Sequence, residues 1–150
     1  MKHVLIAAAS MLVAGSAGAQ DGAPRIDDIV WPGIDSYCSF MRADHAFVFD
    51  DPSTWRWVLF SNLPAAGADP LDTPFMRIDG QLMQLAQTGA RTVEGGTVRT
   101  YASHDADPYT VEVSLLKGAE GYESTGFSGS IKVSRNGASS EVAYKGDCGV

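Results

Sequence analysis

Histidine, cysteine and paired carboxylates are the residue types that could do chemistry in this chain, and they are thinly spread. His104 stands beside Asp105, and a neighbouring carboxylate can hold an imidazole charged near neutral pH, an acid/base arrangement. A polar turn between two strands explains the same pair without any chemistry. His45 is the other histidine outside the first three residues, and no His-x-x-x-His or Cys/His cluster offers the ligand set of a zinc site. Serines are numerous, but none sits in Gly-x-Ser-x-Gly, so a nucleophilic triad has no support in the spacing. Asp50-Asp51 and Asp105 with Asp107 could offer oxygen ligands to calcium, yet they lack the longer ligand run and distal glutamate of an EF-hand loop. Turn formation is the simpler reading of both pairs. The expectation is a protein without catalytic residues, metal or cofactor.

Cys38 and Cys148 are the two cysteines, with no Cys-x-x-Cys between them. The start of the chain decides their chemistry. Met1-Lys2-His3 is a short basic segment, Val4 to Ala14 is apolar, and Ala17-Gly18-Ala19 is a small-residue cleavage site, the three parts of a secretory signal. Residues 1–19 are therefore read as a leader and Gln20 as the first residue of the exported protein. In an oxidising compartment a lone cysteine pair is a structural disulfide. It would tie the two ends of the strand region together, which chain-entropy models value at on the order of 4 to 5 kcal/mol. The apolar run is shorter than the roughly 18 residues that span a bilayer, and no later run approaches that length. No membrane anchor is expected, and the address is the periplasm or the extracellular medium.

Charge narrows the partners. The formal net charge is −7, and loss of Lys2 with the leader makes it −8. Nucleic acid needs a basic footprint and is excluded as a partner. An acidic surface would steer toward a basic protein.

The region between the cysteines reads as strands and turns. Tyr109, Val111, Val113 and Leu115 alternate with polar residues, the period of a strand with one buried face. Ile131 and Val133, then Asn136-Gly137, then Val142 and Tyr144 predict a hairpin over residues 127–146. Met76, Ile78, Asp79-Gly80 and Leu82 repeat that pattern, although Leu82, Met83 and Leu85 would also suit a short helix. Ala46 to Phe49 and Trp55 to Phe60 are read as an early strand pair across Asp50-Asp51-Pro52-Ser53. Gly95-Gly96 opens a strand over 97–103, which turns at Asp105 to Pro108. The fold class is all-β: a small antiparallel up-and-down barrel or sandwich of about seven or eight strands, closed by one disulfide. Residues 20–36 read as a flexible arm in which Trp31 could serve as an anchor, residues 63–74 as a proline-rich loop, and 37–150 as a single domain. Aromatic residues such as Trp55, Trp57, Tyr101 and Tyr109 would fill a solid core, the usual role of aromatics on strands, or line a ligand cavity.

The segment Ile78 to Cys148 resembles the C-type lysozyme inhibitor family of periplasmic and lipoprotein inhibitors. The likeness rests on Asp79-Gly80-Gln81-Leu82-Met83-Gln84-Leu85, on Thr88-Gly89-Ala90-Arg91-Thr92 against the family's Ser-Gly-x-x-Tyr loop, and on the strands that follow. Thr88 and Thr92 stand where the family has serine and tyrosine, and Ser103-His104-Asp105 where it has a lysine. Residues 118–130 look like an insertion. The resemblance implies a small antiparallel β-barrel with a cysteine in an early strand and another at the C-terminus. It also implies that Thr88, Gly89, Ala90, Arg91, Ser103 and His104, on exposed loops, contact a basic enzyme such as a C-type lysozyme. Two functions are expected: a binding protein of the periplasm, inhibiting such a lysozyme, or a structural or small-ligand-binding envelope domain.

Overall fold

The computed structural model describes residues 22–31, 36–63 and 67–149; the leader reading of 1–19 lies outside them. Twelve strands follow in chain order. They are β1 (Ile26–Asp27), β2 (Ile29–Val30), β3 (Cys38–Arg42), β4 (Arg56–Trp57), β5 (Leu59–Ser61) and β6 (Phe75–Ile78), then β7 (Gln81–Gln84), β8 (Ala86–Val93), β9 (Gly96–Ala102), β10 (Thr110–Glu120), β11 (Ser124–Arg135) and β12 (Ala138–Gly149). All ladders are antiparallel, and ten strands form one sheet in the order β1-β6-β5-β3-β12-β11-β10-β9-β8, with β7 on the other edge of β6. β2 and β4 make a separate two-stranded ribbon.

The turns come from local chemistry. Asn136 (φ 51°) and Gly137 (φ 80°) take the paired left-handed conformation of a two-residue hairpin, as do Asp79 (φ 49°) and Gly80 (φ 82°). Both expected hairpins form, and Leu82 to Gln84 lie in a strand rather than a helix. The first and last strands of the large meander, β3 and β12, lie side by side, and the disulfide Cys38–Cys148 joins directly opposed residues 110 positions apart. Gly146 is obligatory beside it, because a Cβ there would sit 2.1 Å from the Ser39 carbonyl oxygen.

The barrel alternative is corrected. β7 and β8 follow one another through buried Leu85, yet β7 pairs only with β6 and β8 only with β9, so no continuous ladder closes the sheet. The sheet instead folds over itself like a sandwich around Phe40, Met76, Ile78, Val111, Ile131 and Tyr144, all at most 1% exposed. Burial pushes the Tyr101 and Tyr144 hydroxyls well above the usual phenol range. A second, smaller cluster of Ile29, Trp57 and Phe60 lies apart from this core.

Two sequence readings change in detail. Residues 26–30, inside the arm expected over 20–36, form β1 against β6 and β2 against β4, anchored by buried Ile26 and Ile29 rather than by Trp31. Residues 46–49 are not a strand but part of a loop over 43–55. Residues 118–130 prolong β10 and β11 into a ribbon whose tip carries fully exposed Tyr122.

Candidate functional site

The loop between β3 and β4 is built to hold apolar side chains in water. Asp51 caps a single 3-10 turn, Pro52–Thr54, by accepting from the Ser53 backbone N–H at 3.0 Å. The hydrogen bonds at Asp51 hold its carboxyl below the usual range, led by that from the Ser53 hydroxyl. Thr54 Oγ1 accepts from the Val48 N–H at 3.0 Å and lies 2.8 Å from the Asp51 carbonyl oxygen, to which it can donate. The His45 ring meets the Thr54 carbonyl at 2.5 Å, so this histidine braces the loop. Phe47-Val48-Phe49 is thereby displayed at a fixed tip, with Phe49 74% and Phe47 38% exposed.

Behind the tip, Phe47 packs on Trp55 and Trp57 with ring centroids 6.2 and 5.7 Å apart, and Phe49 packs on Trp55 at 6.2 Å. The β2–β4 ribbon adds exposed Val30, and its register carries 55%-exposed Trp31 to the position opposite Trp55. Both indole N–H groups, Trp55 Nε1 and Trp57 Nε1, are buried without a hydrogen-bond partner among the described residues. A buried donor left unpaired costs on the order of 1 to 3 kcal/mol. Asp44, Asp50 and Asp51 are exposed around the patch. An apolar centre with a charged rim is the anatomy of a protein-binding surface.

A second feature is a cleft of about 960 Å³ at the opposite end of the disulfide-bearing strands. Its walls are the segment Gly22 to Arg25 and the start of β12 at Ala138 and Ser140, with Tyr109, Asp107 and Arg135 at its end. Arg135 lies 4.5 Å over the Tyr109 ring and pairs with Asp107 at 3.1 Å. That guanidinium, helped by the Asn136 amide, holds the Asp107 carboxyl below its usual range. Tyr109 donates to Asp79 at 2.7 Å.

The residues that the resemblance points to are not brought together. Thr88, Gly89, Ala90 and Arg91 are not a loop but part of β8, with a register shift between Gln87 and Gly89. Arg91 lies opposite Val98 and 4.0 Å from Glu112, so His104 is six residues further along, roughly 20 Å at 3.3 Å per residue. Ser103 is 7% exposed and structural: its hydroxyl accepts from the Tyr109 N–H and donates to Asp105, both at 2.9 Å. His104 is exposed on the 104–107 bend. Asp51, Asp105 and Asp107 are engaged in turn and ion-pair contacts, and no cluster of metal-ligating side chains occurs among the described residues.

The sequence does not single out the aromatic loop as a site, because Phe47-Val48-Phe49 reads as a strand. One signal points to it: three successive apolar residues cannot all face inward at a period of two, and Asp50-Asp51-Pro52 follows at once. Comparison of the chain with protein-family models, curated proteins and solved structures finds no match.

Proposed function

We propose that this is an exported binding protein that holds a basic protein partner through the acid-rimmed aromatic loop, with C-type lysozyme the first partner to test. The observation that carries the reading is the exposed cluster Phe47, Val48 and Phe49, fixed by Thr54, with both phenyl rings packed at a tilt against Trp55 and one of them against Trp57 as well. Rigid aromatic anchors lose little conformational freedom on binding and supply most of the energy at protein interfaces. The net charge of −7 supports attraction to a basic surface. The disulfide between an early strand and the end of the last one agrees with what the resemblance to lysozyme inhibitors implies. It also suits an oxidising compartment, and no helix among the described residues is long and apolar enough to cross a membrane.

The test is lysis of a peptidoglycan suspension by a C-type lysozyme, with and without the oxidised protein, at low and moderate salt. Inhibition near one-to-one stoichiometry that weakens with salt is expected. Undiminished lysis with no complex at micromolar concentration would remove lysozyme as the partner. The small-ligand alternative draws on the 960 Å³ cleft, but Arg25, Asp79, Asp107, Arg135 and Asn136 line it rather than the mainly apolar side chains that enclose small molecules.

A further inference from the structure

The loop over 43–55 is rigid within itself and barely tied to the rest of the domain. Its hydrogen bonds close on one another: His45 N–H to the Arg42 carbonyl, Asp51 N–H to the Val48 carbonyl and Thr54 N–H to the Asp51 carbonyl, each at 3.0 Å, and the His45 ring against the Thr54 carbonyl. Among the described residues no hydrogen bond or ion pair links residues 44–54 to anything outside 42–55. The 2.9 Å bond from Ala43 N–H to the Ala143 carbonyl is the last tie before the loop leaves the sheet. Beyond it, the packing of Phe47 on Trp55 and Trp57 holds the loop down. A segment bonded inwardly and held outwardly by apolar contact can lift as one body about its two ends.

Two donors without acceptors lie where that packing occurs. Trp55 Nε1 and Trp57 Nε1 are buried and unpaired among the described residues, and Trp57 as a whole is 7% exposed. Buried indole N–H groups usually find a partner, and leaving them unpaired is a cost that the free protein bears. Both rings lie on one side of the chain, because Phe47 touches each and each packs on the cluster of Ile29 and Phe60. Two residues of chain separate them, roughly 6.6 Å at about 3.3 Å per residue if extended. In an extended peptide the carbonyls of residues i and i+2 point the same way at the same interval. The donor pair therefore matches a main chain.

We propose that the 43–55 loop is a lid, and that an extended segment of the partner protein enters between it and Trp55 to Trp57, giving two same-side main-chain carbonyls to Trp55 Nε1 and Trp57 Nε1 while Phe47 and Phe49 close over it. This rests on the protein-binding reading of the same loop and names what the partner brings: accessible main chain, and not an apolar spot alone. Charge favours lysine in that segment. Asp44, Asp50 and Asp51 are exposed on the lid, whereas the one cation beside the two tryptophans, Arg56, alternates to the other face of the chain. Carbonyls supplied by the partner pair the donors that the free protein leaves unpaired, so binding gains what folding forgoes.

The probe is the acetylated and amidated peptide Ala-Lys-Ala-Lys-Ala, titrated into the oxidised protein while the indole N–H signals are followed by NMR. Saturable binding that moves both the Trp55 and the Trp57 indole protons downfield is expected. Hydrogen exchange of the free protein tests the lid with no ligand and no variant. Both indole N–H groups should be protected at least about tenfold less than the Val58 main-chain N–H, which bonds the Phe40 carbonyl at 2.8 Å. Replacing Trp57 by 3-benzothienylalanine, an isostere with sulfur in place of the N–H, should lower peptide affinity about tenfold and leave the unfolding midpoint equal or higher. A purely structural indole would instead lower the midpoint and leave affinity alone. Absence of saturable binding, a shift at neither or only one indole, or indole protection equal to that of Val58 overturns the proposal. Lysozyme binding that ignores the isostere would also overturn it while keeping the aromatic-loop reading, whereas peptide binding without a lysozyme complex would support it and remove lysozyme as the partner.

Discussion

The two hydrophobic clusters of this protein use similar side chains and end differently. The inner one is sealed: Phe40 stacks on Tyr144 at 4.6 Å and packs against Phe127, with the disulfide nearby and β12 pressed against β3 at Gly146. The outer one begins as sealed, with Phe60 stacked on Phe75 at 5.0 Å and Ile29 over Trp57. It then opens through Trp55 to Phe47 and Phe49, which no residue of the chain covers among those described. Aromatic area that is packed from behind and wet in front adds little to folding. It is available to a partner instead.

Mutation should separate the two clusters sharply. Phe40→Ala removes a ring with no exposure and should cost about 3 to 5 kcal/mol, read as a lower denaturant midpoint. Replacing Cys38 and Cys148 together by serine should cost about 2 to 5 kcal/mol in the same measurement, since the cross-link restrains almost the whole strand region of the unfolded chain. Phe49→Ser should leave stability within about 0.5 kcal/mol, because the side chain is mostly in water already. A large loss there would mean that the loop is a folding element and not a display.

The ion pairs at the cleft lie outside both clusters and should matter least. Asp27, through its hydrogen bond with Arg25, and Asp107, through Arg135, both have carboxyl pKa values lowered from 3.8. A depressed folded-state value stabilises above the unfolded value and is lost as pH falls through the folded one. Thermal unfolding should thus be flat in these groups near neutrality and move to lower temperature only below about pH 4.

Much of the inner sheet could be read from the chain because each cue was local. The alternation from Tyr109 to Leu115 and the Asp79-Gly80 and Asn136-Gly137 turns each fix a strand or hairpin without reference to distant residues. Strands β1, β2 and β4 have two residues each, too short for any period to show, and exist because β6 and one another supply partners. β8 carries Ala-Gln-Thr-Gly-Ala-Arg-Thr-Val with a bulge near Gly89, so its side chains show no buried face and it reads as a loop. Phe47 to Phe49 were legible as apolar, but not as exposed.

The most direct measurement compares lysozyme binding by the unaltered protein, Phe49→Ser and Arg91→Glu, with unfolding curves recorded for each. If the outer cluster is the contact surface, Phe49→Ser weakens the complex at least about tenfold with unchanged stability, while Arg91→Glu, on β8, binds as the unaltered protein does. Equal binding by Phe49→Ser, or no complex with any of the three, would contradict the assignment of the aromatic loop to that partner.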